Sequence, residues 1–174
     1  ADVYMRQATG LTKNTIPSPV FADGIVYVAS GYDGEMLQAI RAKGASGDVT
    51  GSDSIVWQRQ KDAPYVPSLL LYGDMLYALK SNKGIVSCFD AKTGDVHYGP
   101  ERLKSLKGIY ASPVAANGKV YFVGRQGNSL VLKHGHDFEI LAENWLEDRF
   151  DASPAIVGDQ LYLRGHKYLY CISE

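Results

Sequence analysis

The sequence predicts an all-β chain: a β-propeller of about four blades, each of four antiparallel strands. Three observations predict it. Four gapless copies of one pattern occur, SPVFADGIVYV from Ser18, SLLLYGDMLYA from Ser68, SPVAANGKVYF from Ser112 and SPAIVGDQLYL from Ser153, at steps of 50, 44 and 41 residues. Each copy carries a two-residue turn at its middle: Asp23-Gly24, Gly73-Asp74, Asn117-Gly118 and Gly158-Asp159. Both faces of every resulting hairpin are apolar. A β-sandwich leaves one face of each sheet wet, whereas sheets repeated every 40 to 50 residues and covered on both sides by their own copies describe a propeller.

The hairpins come first in each blade. Asp-Gly and Asn-Gly suit a type I′ turn, which needs positive φ at both central residues; Gly-Asp suits type II′, which needs it only at the first. Counting outward from the turn places Val20 opposite Tyr27, Leu70 opposite Tyr77, Val114 opposite Tyr121 and Ala155 opposite Tyr162. The other face carries Phe21, Val26 and Val28 and their counterparts in the later copies, all apolar. A third strand follows at Glu35–Ile40, Ile85–Phe89, Ser129–Lys133 and Tyr168–Ile172. An outer strand follows at Ile55–Gln60, Val96–Gly99 and Leu141–Leu146, each with one large ring: Trp57, Tyr98 and Trp145.

The blades therefore fall at 16–60, 66–103, 110–149 and 151–174, the last without an outer strand. Residues 1–8 read as the outer strand of a preceding or closing blade, because Val3-Tyr4-Met5-Arg6-Gln7 resembles Val56-Trp57-Gln58-Arg59-Gln60. Pairing a terminal strand into the last blade hides an otherwise sticky edge. Ala1 in place of an initiator Met suggests upstream residues.

Composition narrows the function. In 174 residues, 18 Lys+Arg face 19 Asp+Glu, a net charge of -1. No concentrated basic face is available, so nucleic acid is not an expected partner. No apolar run approaches the roughly 18 residues of a membrane span, so membrane insertion is not expected either. Cys88 and Cys171 occupy matching positions two blades apart, too far for a disulfide that needs Cα atoms within about 7 Å. They are expected to be free, buried thiols that pack as small hydrophobes.

Cys88-Phe89-Asp90-Ala91-Lys92-Thr93-Gly94-Asp95-Val96-His97-Tyr98 resembles the A-L-D-A-x-T-G-x-x-x-W signature of pyrroloquinoline-quinone-like (PQQ-like) propeller repeats. The S-P-x-x-x-D-G-x-x-Y hairpin belongs to the same pattern, so the resemblance covers nearly the whole chain. It is similar to the C-terminal part of secreted bacterial members, which implies a periplasmic or secreted location. Only blade two keeps D-A-x-T-G, with Tyr98 in the tryptophan's place; blade one interrupts it with Gly44–Asp53 and blade three replaces it with Lys133-His134-Gly135-His136-Asp137. Such families close seven or eight blades. The resemblance therefore implies half a ring completed by the rest of the protein or a second chain, with a closed four-bladed ring as the alternative.

Each candidate chemistry has a plainer structural reading. His134 and His136 with Asp137 lack a third ligand of known position, so a solvated turn is expected and no metal. Gly44–Asp53 lacks both calcium-loop and phosphate-loop spacing, so a flexible surface loop is expected. A serine recurring at one offset in every blade is structural; none sits in G-x-S-x-G. A quinone enzyme of the resembled kind needs adjacent cysteines and calcium ligands, and no Cys-Cys pair occurs. No cofactor is expected, with PQQ and calcium belonging to an alternative, quinoprotein-like dehydrogenase.

What remains is a binding face. The lead-in loops to the innermost strands and the loops joining second to third strands share one side of a propeller. They carry Tyr65, Tyr110 and Asp151, and Lys80, Arg125, Arg164 and His166, respectively. Tyrosine with arginine is typical of interaction hot spots. The expectation is a non-catalytic scaffold or binding module for a protein or small polar ligand; a carbohydrate-binding propeller is a further alternative.

Overall fold

The computed structural model describes residues 6–173. Its strands are β1 (Arg6–Gln7), β2 (Val20–Ala22), β3 (Ile25–Ser30), β4 (Met36–Arg41), β5 (Gly47–Asp48), β6 (Ile55–Arg59), β7 (Leu70–Tyr72), β8 (Met75–Lys80), β9 (Ile85–Asp90), β10 (Val96–Arg102), β11 (Val114–Ala116), β12 (Lys119–Val123), β13 (Asn128–Lys133), β14 (Ile140–Trp145), β15 (Ala155–Val157), β16 (Gln160–Arg164) and β17 (Leu169–Ile172). They form antiparallel blades β2-β3-β4-β6, β7-β8-β9-β10, β11-β12-β13-β14 and β15-β16-β17. Among the described residues no helix is long and apolar enough to cross a membrane.

Turn chemistry sets the register. Asp23 and Gly24 have φ of 50° and 78°, and Asn117 and Gly118 of 49° and 70°. Gly73 (61°) and Gly158 (59°) are positive alone in their pairs, as type II′ requires. Each tyrosine consequently faces its expected partner: Val20↔Tyr27, Leu70↔Tyr77, Val114↔Tyr121 and Ala155↔Tyr162.

The tyrosine face of one blade packs on the opposite face of the next. Tyr27, Ala29, Leu37 and Ala39 of blade one cluster with Leu76, Ala78 and Phe89 of blade two. Tyr77, Leu79, Val86 and Cys88 of blade two cluster with Val120, Phe122, Leu130 and Leu132 of blade three. A smaller cluster joins Val123 to Leu163, Phe150 and Tyr170 across blades three and four. Each fully buried Leu or Phe stabilises the fold by roughly 1.5–3 kcal/mol.

The repeated serine has a physical role at these junctions. The amide of Ser18 donates to Ser68 Oγ at 3.0 Å, that of Ser68 to Ser112 Oγ at 2.9 Å, and that of Ser112 to Ser153 Oγ at 2.9 Å. This ladder steps from blade to blade along the inner strands. Among the described residues no bond returns from Ser153 to Ser18, and the blades do not close into a ring.

The open arc corrects several expectations. Blade two is covered on both faces, but Phe21 of blade one is 65% exposed and Leu169 of blade four 70%. Cys88 is free and buried, and burial pushes its thiol up to about 12. Cys171 is free but exposed, because no further blade covers its sheet. Residues 1–5, most of the terminal strand expected to pair into blade four, lie outside the described residues. Arg6 and Gln7 pair in parallel with Gly47 and Asp48, and blade four has three strands. The 44–53 insertion is accordingly a clasp rather than a free loop: Val49 and Ala45 are buried, Val49 N–H donates to Gln7 O, and Thr9 N–H donates to Thr50 Oγ1.

Candidate binding face

The lead-in loops and the loops between second and third strands meet on one side of the sheets. Pro64 bridges Lys80, Phe150 bridges Gly165, and the Gly108 amide donates to Asn82 O. The seven residues expected there separate into two groups and one outlier.

At the junction of blades one and two, Lys80 Nζ lies 2.8 Å from Glu35 Oε1 and 3.8 Å from Asp62 Oδ1. The hydrogen bond to Glu35 holds the ammonium above the ordinary lysine value despite partial desolvation. The charge of Lys80 is thus committed to tying two blades together. Tyr65 stacks on Tyr32, ring centroids 5.3 Å apart at 26°.

At the junction of blades three and four, Arg125 Nε lies 2.5 Å from Asp151 Oδ1, and its guanidinium lies 4.5 Å from the Tyr110 ring centroid. His166 Nε2 is 2.9 Å and Arg149 Nε 3.9 Å from Asp151 Oδ2. Desolvation works against the charge on Asp151, but hydrogen bonds from His166 and Arg125 outweigh it and hold the carboxyl below its ordinary value. Beside this group lies an open depression of about 430 Å³ lined by Lys107, Gly108, Tyr110, Arg125, Gln126 and Arg149.

Asp148 fixes the loop that carries His166. Its carboxylate accepts the amides of Arg149, Lys167 and Tyr168 and the Tyr170 hydroxyl. Arg164 stands apart: it alternates with Tyr162 along β16 and lies on the uncovered face of blade four. Lys107, Arg149 and Tyr32 belong to these groups although the sequence reading passed over them. Arg149 lies two residues from Asp151 in the same lead-in loop, so the rule that selects Asp151 reaches it as well.

On the opposite side the His134–Asp137 turn is not merely solvated. His134 Nδ1 lies 2.9 Å from the Tyr77 hydroxyl and its ring 4.5 Å from Tyr72, while His136 Nδ1 lies 3.1 Å from His97 Nδ1. The turn docks on blade two, and its histidines diverge to different partners. Among the described residues no three His, Cys, Asp or Glu side chains gather into a metal-binding group.

The outer strands each carry the expected ring, but not at matching positions. Across each sheet, Trp57 aligns with Ala39 and Tyr27, and Tyr98 with Cys88 and Tyr77. The third member of this series is Ala142, opposite Val131 and Tyr121; Trp145 lies opposite Asn128 instead and is 61% exposed. With alanine in the ring's place, a cavity of about 500 Å³ opens between blades three and four, lined by Tyr121, Val131, Leu141, Ala142, Leu161 and Ile172 among others.

Solved structures share this architecture. BamB from Moraxella catarrhalis is 18% identical, with a TM-score of 0.67 over 91% of this chain and 46% of that one. This chain thus spans about half the length of that BamB. The computationally designed Ika4 protein is 12% identical, with a TM-score of 0.74 over 99% of both chains. Quinohemoprotein alcohol dehydrogenase from Comamonas testosteroni is 16% identical, with a TM-score of 0.64 over 89% of this chain and 29% of that one. At such identities the likeness is one of fold. No curated protein matches the chain. A family model, PQQ_2, described as outer membrane protein assembly factor BamB, matches residues 3–174, and the chain belongs to that family.

Proposed function

We propose that this chain is a non-catalytic propeller segment, a scaffold whose binding surface is the junction of blades three and four. Its partner is a protein presenting an acidic segment. The observation that carries this reading is the gathering of Lys107, Arg125 and Arg149 with Tyr110 around one open depression. Asp151 pairs with Arg125 and draws on Arg149 and His166 as well, leaving positive charge in excess there. Arginine over tyrosine supplies both a planar donor fork and a rigid apolar face, a pairing suited to carboxylates. The reading includes a periplasmic or secreted location, supported by the family's description as an outer membrane assembly factor. It also includes blades supplied from outside these residues, supported by the uncovered ends, and no bound quinone.

Fluorescence anisotropy with a labelled Glu/Asp-rich peptide tests the reading. Binding that weakens with salt, and is lost in Arg125→Ala and Arg149→Ala but kept in Arg164→Ala, supports it. Binding indifferent to these substitutions overturns the site. Dye-linked alcohol oxidation on adding PQQ and calcium, or consistent glycan-array hits, overturns the function in favour of a quinoprotein or a carbohydrate binder.

A further inference from the structure

We propose that two copies of this chain close head-to-tail into one eight-bladed ring, the fourth blade of each copy packing its tyrosine face on the first blade of the other. The inference rests on the reading that blades from outside these 174 residues complete the arc, and it names their source as a second copy.

The chain itself supplies the template for the missing contact. At the junctions of blade one with two and of blade two with three, the tyrosine face of one blade meets the opposite face of the next, and the positions concerned are dry. Leu37 of blade one is 0% exposed; its counterpart in blade four, matched through the strand registers, is Leu169 at 70%. Ala39 and Cys88 are likewise buried, and their counterpart Cys171 is exposed. On the opposite face, Leu76 and Val120 are fully buried while their blade-one counterpart Val26 is half-buried beside the exposed Phe21. Each end thus carries one half of an interface that the chain builds completely inside itself.

The serine ladder ends the same way. Ser153 Oγ accepts from Ser112, but among the described residues the Ser153 amide has no serine acceptor and Ser18 Oγ no amide donor. A donor at one end and an acceptor at the other are the two halves of one more rung. The contact is heterologous, and two such contacts related by a twofold axis leave no free end. One charged residue intrudes: Arg164 takes the place of Ala29, at the edge nearest the binding face. A polar rim around an apolar core is ordinary interface anatomy.

Analytical ultracentrifugation of the 174-residue chain tests this. The expected species has about 38 kDa, twice the 19.0 kDa of one chain. Phe21→Glu and Leu169→Glu are each expected to sediment as folded monomers with an unchanged circular dichroism spectrum. An equimolar mixture of the two is expected to regain the dimer mass, because both lesions can share one junction and leave the other intact. Alkylation of Cys171 is expected to slow with rising protein concentration in the wild type only. A wild-type monomer, a ladder of larger species, or a dimer whose Cys171 labels at one rate throughout overturns the proposal. Peptide binding at blades three and four reads a different surface, so its failure leaves this outcome untouched, and the reverse.

Discussion

The indole of Trp57 lies against Gly94 of the neighbouring blade, so close that a Cβ at Gly94 would stand 2.7 Å from Trp57 Cδ2. Gly94 has φ of 76°, Trp57 Nε1 donates to Ala91 O at 2.9 Å, and Arg59 donates to Gly94 O at 3.2 Å. Asp90 caps the turn by accepting the amides of Lys92 and Thr93. The D-A-K-T-G sequence is therefore a receptor for the preceding blade's outer strand. Gly94→Ala combines a clash with the Trp57 ring and positive φ, and is expected to lower stability by about 2 kcal/mol or more in urea denaturation.

The ladder predicts a contrast between chemically identical substitutions. Ser112→Ala removes the acceptor of the Ser68 amide and is expected to cost about 1 kcal/mol. At a concentration where the chain is monomeric, Ser18→Ala removes a hydroxyl that accepts no such amide among the described residues, and is expected to change stability by less than about 0.5 kcal/mol. Equal effects in denaturant melts would contradict the ladder.

The cleft between blades three and four predicts a stabilising change. Ala142→Phe restores a ring where blades one and two carry Trp57 and Tyr98, and is expected to raise stability by about 0.5–2 kcal/mol. Thermal unfolding with an unchanged or lower midpoint would show that the space is not available to a side chain.

Acid stability follows from carboxylates held below their ordinary value, among them Asp90, Asp148 and Asp151. Amides of Thr93 and Lys92 do this for Asp90. For Asp148 and Asp151, desolvation opposes the charge, and hydrogen bonds prevail over it: from the Arg149, Lys167 and Tyr168 amides at Asp148, and from His166 and Arg125 at Asp151. A lowered folded-state value means that the unfolded chain takes up protons first. The contribution is therefore complete above the unfolded value of about 3.9 and is lost as pH falls below it. Urea midpoints measured from pH 7 to pH 3 should fall at the acid end, and less steeply in Asp151→Asn.

Burial predicts thiol behaviour. Cys88, pushed up to about 12 by burial, is expected to resist iodoacetamide at pH 8 in the native chain and to react only after unfolding. Rapid labelling of native Cys88, read by mass spectrometry, would mean that the junction of blades two and three opens.

Local rules made the hairpins legible. Turn residues at fixed offsets set register, and register decides which side chains share a face, so Tyr27 and its three counterparts were readable by counting. Features that depend on distant pairing were not. The two-residue parallel contact of Arg6–Gln7 with Gly47–Asp48 has no periodic signature. Trp145 lies in an outer strand as read, but three residues beyond Ala142, the position that pairs as Trp57 does, and only the strand pairing shows which ring position aligns. His134 looked solvated because its contact with Tyr77 depends on the preceding blade, not on its own turn. The cationic group at blades three and four was legible in Tyr110, Arg125, Asp151 and His166, but Arg164 left it because β16 carries that side chain to the sheet's open face.

Residue-resolved amide hydrogen exchange at a concentration where the chain is monomeric tests the open arc most directly. The account predicts slow exchange in β8 and β9, whose sheet is covered on both faces, and exchange faster by on the order of tenfold in β16 and β17, whose tyrosine face is wet. Uniform protection across all four sheets would show a closed ring and contradict it.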